Sequence, residues 1–174
     1  MNDIHVAGGV GVAETAMASY DAALADANLH NYNLVAVSSV VPATATVRSV
    51  ETAPDLGPAG SRLTVVEARR TVGPSNDASS RGADGDAATA PRRADAAAGL
   101  GWATGPGPGL FYEVTGETER GVRDRIGAGL DAGTELRDWT LTDREARVET
   151  VAAEPDGHAT AVVVAAYGSA EPIL

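Results

Sequence analysis

The apolar residues of this chain are mostly Ala and Val, and that limits how it can build a core. Hydrophobic residues make up 44% of the sequence, yet it holds one Phe, two Trp and two Met. Small side chains bury little area each, at about 25 cal/mol per Å². A chain of 174 residues is long enough for one domain with a real core and short for two. Burying further surface in a homo-oligomer is the natural remedy, and one is expected here.

Charge narrows the reading further. All 13 basic residues are Arg, set against 24 acidic ones, for a net charge of −11. In near-saturated salt the Debye length falls to about 3 Å or less. Acidic self-repulsion is then screened, so a Lys-free acidic chain suits that medium; an ordinary acidic protein is the plainer alternative. A negative surface argues against a nucleic-acid partner, because phosphate binding needs a concentrated cationic patch. The absence of Cys excludes disulfides, thiolate metal sites and Cys nucleophiles. The absence of Lys excludes a Gly-Lys phosphate loop and a pyridoxal phosphate Schiff base. His5, His30 and His158 are scattered without ligand spacing, so no metal site is expected. No apolar run approaches the roughly 20 residues of a membrane span. The start MNDIHVAGG has no basic leader. The expectation is a cytoplasmic protein without a membrane partner.

Along the chain, residues 3–7 read as a short strand, followed by a loop at Gly8, Gly9 and Gly11 that lets backbones approach closely. Residues 14–28 lack Gly and Pro and carry Met17, Tyr20 and Leu24 at helical spacing. Leu34 to Val37 is a compact, buried-looking strand ending in Ser38-Ser39. Strands are also expected over 44–50, 63–68, 110–115, 138–142, 145–151 and 159–167. A second helix is expected over 117–131, with Val122, Ile126 and Leu130 on one stripe and Gly133 as its stop. Residues 71–98 hold one Val and no larger aliphatic or aromatic side chain, so they read as a mobile insertion. Order resumes at Leu100. The alternation of strands and helices predicts an α+β sandwich in a single domain over 1–174.

One pair of residues stands out chemically. Ser38-Ser39 follows a strand and precedes Val40-Val41-Pro42, where Pro42 biases Val41 toward extended geometry. Two hydroxyls are thereby held on a constrained backbone. Ser79-Ser80, in the low-complexity segment, shows that such a pair is ordinary by itself.

Three stretches around that pair resemble the pyruvoyl-dependent arginine decarboxylase family. The first is Glu14-Thr15 through Leu24, with Asn31-Tyr32-Asn33-Leu34. The second is Val37-Ser38-Ser39-Val40-Val41-Pro42. The third is Gly109-Leu110-Phe111-Tyr112-Glu113, followed by the second helix and Arg137-Asp138-Trp139. They cover most of 6–55 and 99–167, while about 56–98 does not match. Ala43 departs from the family, which commonly has a second Pro there.

The resemblance implies an αββα four-layer sandwich, self-cleaved into residues 1–38 and 39–174 and assembled as a trimer with sites shared between subunits. It implies that Ser39 attacks the Ser38 carbonyl and becomes an N-terminal pyruvoyl group, with Asn33 helping the developing oxyanion. The pyruvoyl ketone would form a Schiff base with L-arginine and act as electron sink, a fitting cofactor for a decarboxylase without Lys. Glu113 would be the general acid, kept protonated by burial. Asp21 would pair with the substrate guanidinium and Leu24 would line its aliphatic stem. Agmatine, a polyamine precursor, would be the product. Taken alone, Asn33 reads as a turn former, Glu113 as a strand residue on a solvated face, and Asp21 as an exposed helix residue. The alternatives are a pyruvoyl decarboxylase for another amino acid and an uncleaved homologue serving as a binding or assembly subunit.

Overall fold

The computed structural model describes residues 3–74 and 95–174. β1 (Asp3–Ala13) runs straight through Gly8, Gly9 and Gly11, where the sequence predicts a loop. The glycines have a packing reason. α1 (Ala16–Asp26) lies so close on β1 that a Cβ at Gly9 would overlap the Ala23 carbonyl oxygen, and one at Gly11 the Ser19 carbonyl oxygen. Close approach is therefore correct and the loop is not. Thr15 starts the helix by accepting the Ala18 N–H at 3.1 Å, as an N-cap should.

The chain continues through β2 (Asn33–Ala36), β3 (Val40–Val41), β4 (Thr46–Ser49) and β5 (Arg62–Val72). After the undescribed residues come β6 (Ala96–Thr104), β7 (Gly109–Gly116), α2 (Glu119–Glu135), β8 (Asp143–Val151) and β9 (His158–Tyr167). One sheet has the order β2-β5-β9-β1-β4, the other β3-β7-β6-β8. In the first sheet, β2 runs parallel to β5 and β4 parallel to β1, while β9 is antiparallel to both its neighbours. The second sheet is antiparallel throughout.

Three apolar layers hold four structural layers together, giving the expected α+β class. Ala23, Leu24 and Ala27 of α1 meet Ala7, Leu63 and Val162 on the outer face of the five-stranded sheet. Ile4, Val6, Val66 and Val163 meet Leu100, Trp102 and Phe111 between the sheets. Val122, Ile126 and Leu130 of α2 cover the far face of the four-stranded sheet. Trp102 and Phe111, the buried aromatics among the described residues, meet edge to face in the middle layer at 6.4 Å between ring centroids.

Three further expectations need correction. Thr71 and Val72 close β5, and Ala96 to Ala98 open β6, so the ends of the expected insertion are strand. Ala96, Ala97 and Ala98 are fully buried because both faces of β6 are covered; such a strand shows no alternation to read. The rest of that insertion, 75–94, lies outside the described residues. Gly133 does not stop α2, which runs on to Glu135; Gly133 packs against Leu110 instead. Residues 138–142 are not a strand. Trp139 and Leu141 fold under α2, and Arg137 stacks on the Trp139 ring at 5.0 Å. Among the described residues no helix is long and apolar enough to cross a membrane.

Candidate active site

The Ser38-Ser39 pair sits where the chain crosses from one sheet edge to another. β2 is an edge strand of the five-stranded sheet and β3 an edge strand of the four-stranded one. Val37 N–H donates to the Val65 carbonyl at 2.9 Å, and Phe111 N–H donates to the Ser39 carbonyl at 2.9 Å. β5 thus anchors one side of the link and β7 the other. The strand before the pair is not buried: Val35 and Val37 are 43% and 41% exposed. As an edge strand, β2 has no further strand beside it, so apolar composition alone misjudged its burial.

Within the link, Val40 N–H donates to the Ser38 carbonyl at 2.8 Å. This closes a three-residue turn around Ser39. Neither Ser38 nor Ser39 has positive φ; Asn28 is the one non-glycine residue among those described that does. The Ser39 hydroxyl donates to Glu113 Oε1 at 2.6 Å. That length is typical of an O–H group on a carboxylate. The Tyr167 hydroxyl donates to the Val40 carbonyl at 2.9 Å.

Register explains how Glu113 reaches Ser39. β3 has only Val40 and Val41, paired with Leu110 and Gly109 of β7. Beyond that short strand, the β7 edge stays open except for the Phe111 bond. Alternation along β7 puts Glu113 on the same face as Phe111, toward the inter-sheet layer and Tyr167. The burial expected for Glu113 is absent in this chain by itself, where its side chain is exposed. Tyr167 is pushed up to about 12, first by burial and then by the Glu113 carboxylate. Its hydroxyl therefore keeps its proton, and its donor role, throughout the neutral range. An open groove runs between the free edge of β7 and α2, lined by Tyr112, Glu113, Thr115, Arg125 and Gly129.

The other expected site residues lie elsewhere in the fold. Asn33 begins β2; its side-chain N–H₂ donates to the Gly60 carbonyl at 2.6 Å, and its backbone N–H to Ser61 at 2.9 Å. At about 3.3 Å per residue, it is roughly 13 Å along the strand from Val37. Asn33 thus holds a turn and does not touch the Ser38–Ser39 peptide. Asp21 is exposed on α1, which covers the five-stranded sheet. Leu24, expected to line a substrate, is only 7% exposed and belongs to the core beneath α1. Asp21 and the Ser39–Glu113 pair therefore occupy different layers of the chain.

Sequence reasoning missed Tyr167 and the backbone donors of Val40 and Phe111. Tyr167 ends a long apolar strand, and an aromatic with a polar tip there was the one available signal. Backbone donors carry no sequence signal.

The geometry supplies a hydroxyl on a carboxylate, beside a carbonyl that already accepts an N–H. The family described as pyruvoyl-dependent arginine decarboxylase matches residues 3–172. Proteins called pyruvoyl-dependent arginine decarboxylase, from the R1 and NRC-1 strains of Halobacterium salinarum, are each 52% identical over 177 residues. Each alignment covers 100% of this chain and 99% of the relative. With both a match along nearly its whole length and relatives this similar, the chain belongs to the pyruvoyl-dependent arginine decarboxylase family.

Proposed function

We infer that this chain is an arginine decarboxylase that cuts itself between Ser38 and Ser39, converts Ser39 to a pyruvoyl group, and turns L-arginine into agmatine and CO₂. The observation that carries this reading is the Ser39 hydroxyl on Glu113 at 2.6 Å. The carboxylate fixes the Ser39 oxygen next to the Ser38 carbonyl. Addition of Oγ to the Ser38 carbon and loss of the Ser38–Ser39 C–N bond convert the amide to an ester, and the Oγ proton ends on the Ser39 nitrogen. Loss of the Ser39 α-proton and of the Ser38 carboxylate gives a dehydroalanine end. Its enamine tautomerises, and water replaces the nitrogen as ammonia, leaving the keto group on residue 39. The products are residues 1–38 and the pyruvoyl chain 39–174. Asn33 contributes by fixing the start of β2.

The pyruvoyl ketone supplies the electron sink for the pair released with CO₂. Glu113 is the side chain within reach of residue 39 that can return a proton to the substrate carbon. Asp21 offers a carboxylate for the guanidinium, which favours bidentate pairing. Because Asp21 and Glu113 lie in different layers, a site using both is assembled from neighbouring subunits of a trimer. Exposed Val35, Val37, Val40 and Tyr112 around the cut support such an interface.

A denaturing mass measurement on protein purified in high salt tests the reading. Two chains divided after residue 38, the larger lacking a free amine, are expected. An intact chain would favour a non-catalytic assembly subunit. Agmatine formation compared across amino acids then tests the substrate, and light scattering tests the trimer.

A further inference from the structure

The carbonyl that Ser39 must attack already accepts a hydrogen bond from within its own turn. Val40 N–H lies 2.8 Å from the Ser38 oxygen, where negative charge develops as Oγ adds. The orientation of that N–H follows from the atoms around it. It belongs to the planar Ser39–Val40 peptide, whose oxygen points the opposite way. Phe111 N–H holds that oxygen at 2.9 Å. The next peptide is held through the Val40 carbonyl, by the Tyr167 hydroxyl at 2.9 Å. Tyr167 is itself braced, with its ring edge-on to Phe111 at 6.1 Å between centroids. The side chain and the backbone donor that clamp the turn thus come from two residues in mutual contact, one in each sheet.

We propose that Val40 N–H is the oxyanion donor for chain cleavage, and that Tyr167 is the positioning residue that keeps it on the Ser38 oxygen. The inference rests on the self-cleavage reading above. Oγ of Ser39 bonds to the Ser38 carbon while the carbonyl π pair moves to the Ser38 oxygen, under Val40 N–H. Collapse returns that pair and breaks the C–N bond, and the proton lost by Oγ ends on the departing nitrogen. In this geometry the Asn33 side chain donates to Gly60, and the donor on the Ser38 oxygen is Val40 N–H.

The test is a time course of cleavage in freshly synthesised full-length protein, followed by denaturing mass measurement. Wild type, Tyr167→Phe, Val40→Pro and Val163→Ala are compared. Phe keeps the ring and loses the hydroxyl. Pro deletes the N–H, which no strand ladder uses here, and suits an edge strand. Val163→Ala weakens the same inter-sheet core away from the turn. Removing an oxyanion donor outright costs about 100-fold in rate, so Val40→Pro is expected to slow cleavage by at least that. Tyr167→Phe, which only loosens the donor, is expected to slow it about tenfold, with Val163→Ala at the wild-type rate. Equal slowing by Val163→Ala and Tyr167→Phe would reduce Tyr167 to a stability role and overturn its assignment. Wild-type cleavage in Val40→Pro would overturn the whole inference, even if Tyr167→Phe failed to assemble. A wild-type chain that never cleaves would instead sink the self-cleavage reading.

Discussion

Replacing Glu113 with Gln separates two jobs that one carboxylate is asked to do. In the structure, Glu113 Oε1 accepts the Ser39 hydroxyl at 2.6 Å. Gln keeps an acceptor oxygen at that place but loses the charge and the exchangeable proton. A hydrogen bond to a charged group contributes about 1.5–3 kcal/mol and a neutral one about 0.5–1.5, so the change weakens this contact by about 1 kcal/mol. If the whole loss falls on the reacting arrangement, cleavage slows about fivefold. Turnover differs, because an amide cannot return a proton to carbon. Losing a positioned general acid costs about 10²–10⁴ in rate. The assay quantifies cleaved chain by denaturing mass, then measures agmatine formation per pyruvoyl group. Glu113→Gln is expected to reach full cleavage with turnover down at least 100-fold. Unimpaired turnover per pyruvoyl group would refute the general-acid role. Complete loss of cleavage in a folded variant would refute the claim that Glu113 serves there only as an acceptor.

Gly11→Ala places a Cβ on the Ser19 carbonyl oxygen, which is backbone and cannot rotate away; a loss of about 2–3 kcal/mol is expected from overpacking, read by thermal unfolding. Asp21→Asn is expected to raise KM for arginine with little change in melting, whereas Leu24→Ala should cost about 2–5 kcal/mol of stability because its side chain is core. The reverse pattern would put Leu24 in the substrate site and Asp21 in the fold. Tyr20 and Tyr167 are both raised to about 12, chiefly by burial. Between pH 10 and 12 the unfolded chain loses these protons while the folded chain keeps them, so stability should fall with rising pH. Their contribution is complete below pH 10, and a Tyr20→Phe, Tyr167→Phe double variant should show a flatter decline in melting temperature across that window.

The helices and most strands were legible because half-covered elements leave a period in the sequence. Val122, Ile126 and Leu130 mark the buried stripe of α2. Elements covered on both faces leave none. Ala96 to Ala98 look like filler until a sheet lies on one side and α2 on the other. Gly9 and Gly11 mislead for a related reason: a small residue signals a bend when read locally, but here it marks a helix packed against backbone.

The site divides along the same line. Ser38 and Ser39 are neighbours in sequence and could be noticed directly. Glu113 entered only through resemblance to a family, because its pairing with Ser39 depends on the β3–β7 register and on β3 ending after Val41. Tyr167 needed still more. It reaches Val40 because β9 lies in the middle of the five-stranded sheet, between β5 and β1, while its last residue faces the opposite sheet. Those placements follow from long-range pairing, which local propensity does not encode. Residues proposed to react through covalent adjacency can thus be noticed in a sequence, whereas the groups that surround them emerge only with topology. If Tyr167→Phe slows cleavage without lowering stability to match, control of this reaction lies largely in the second group.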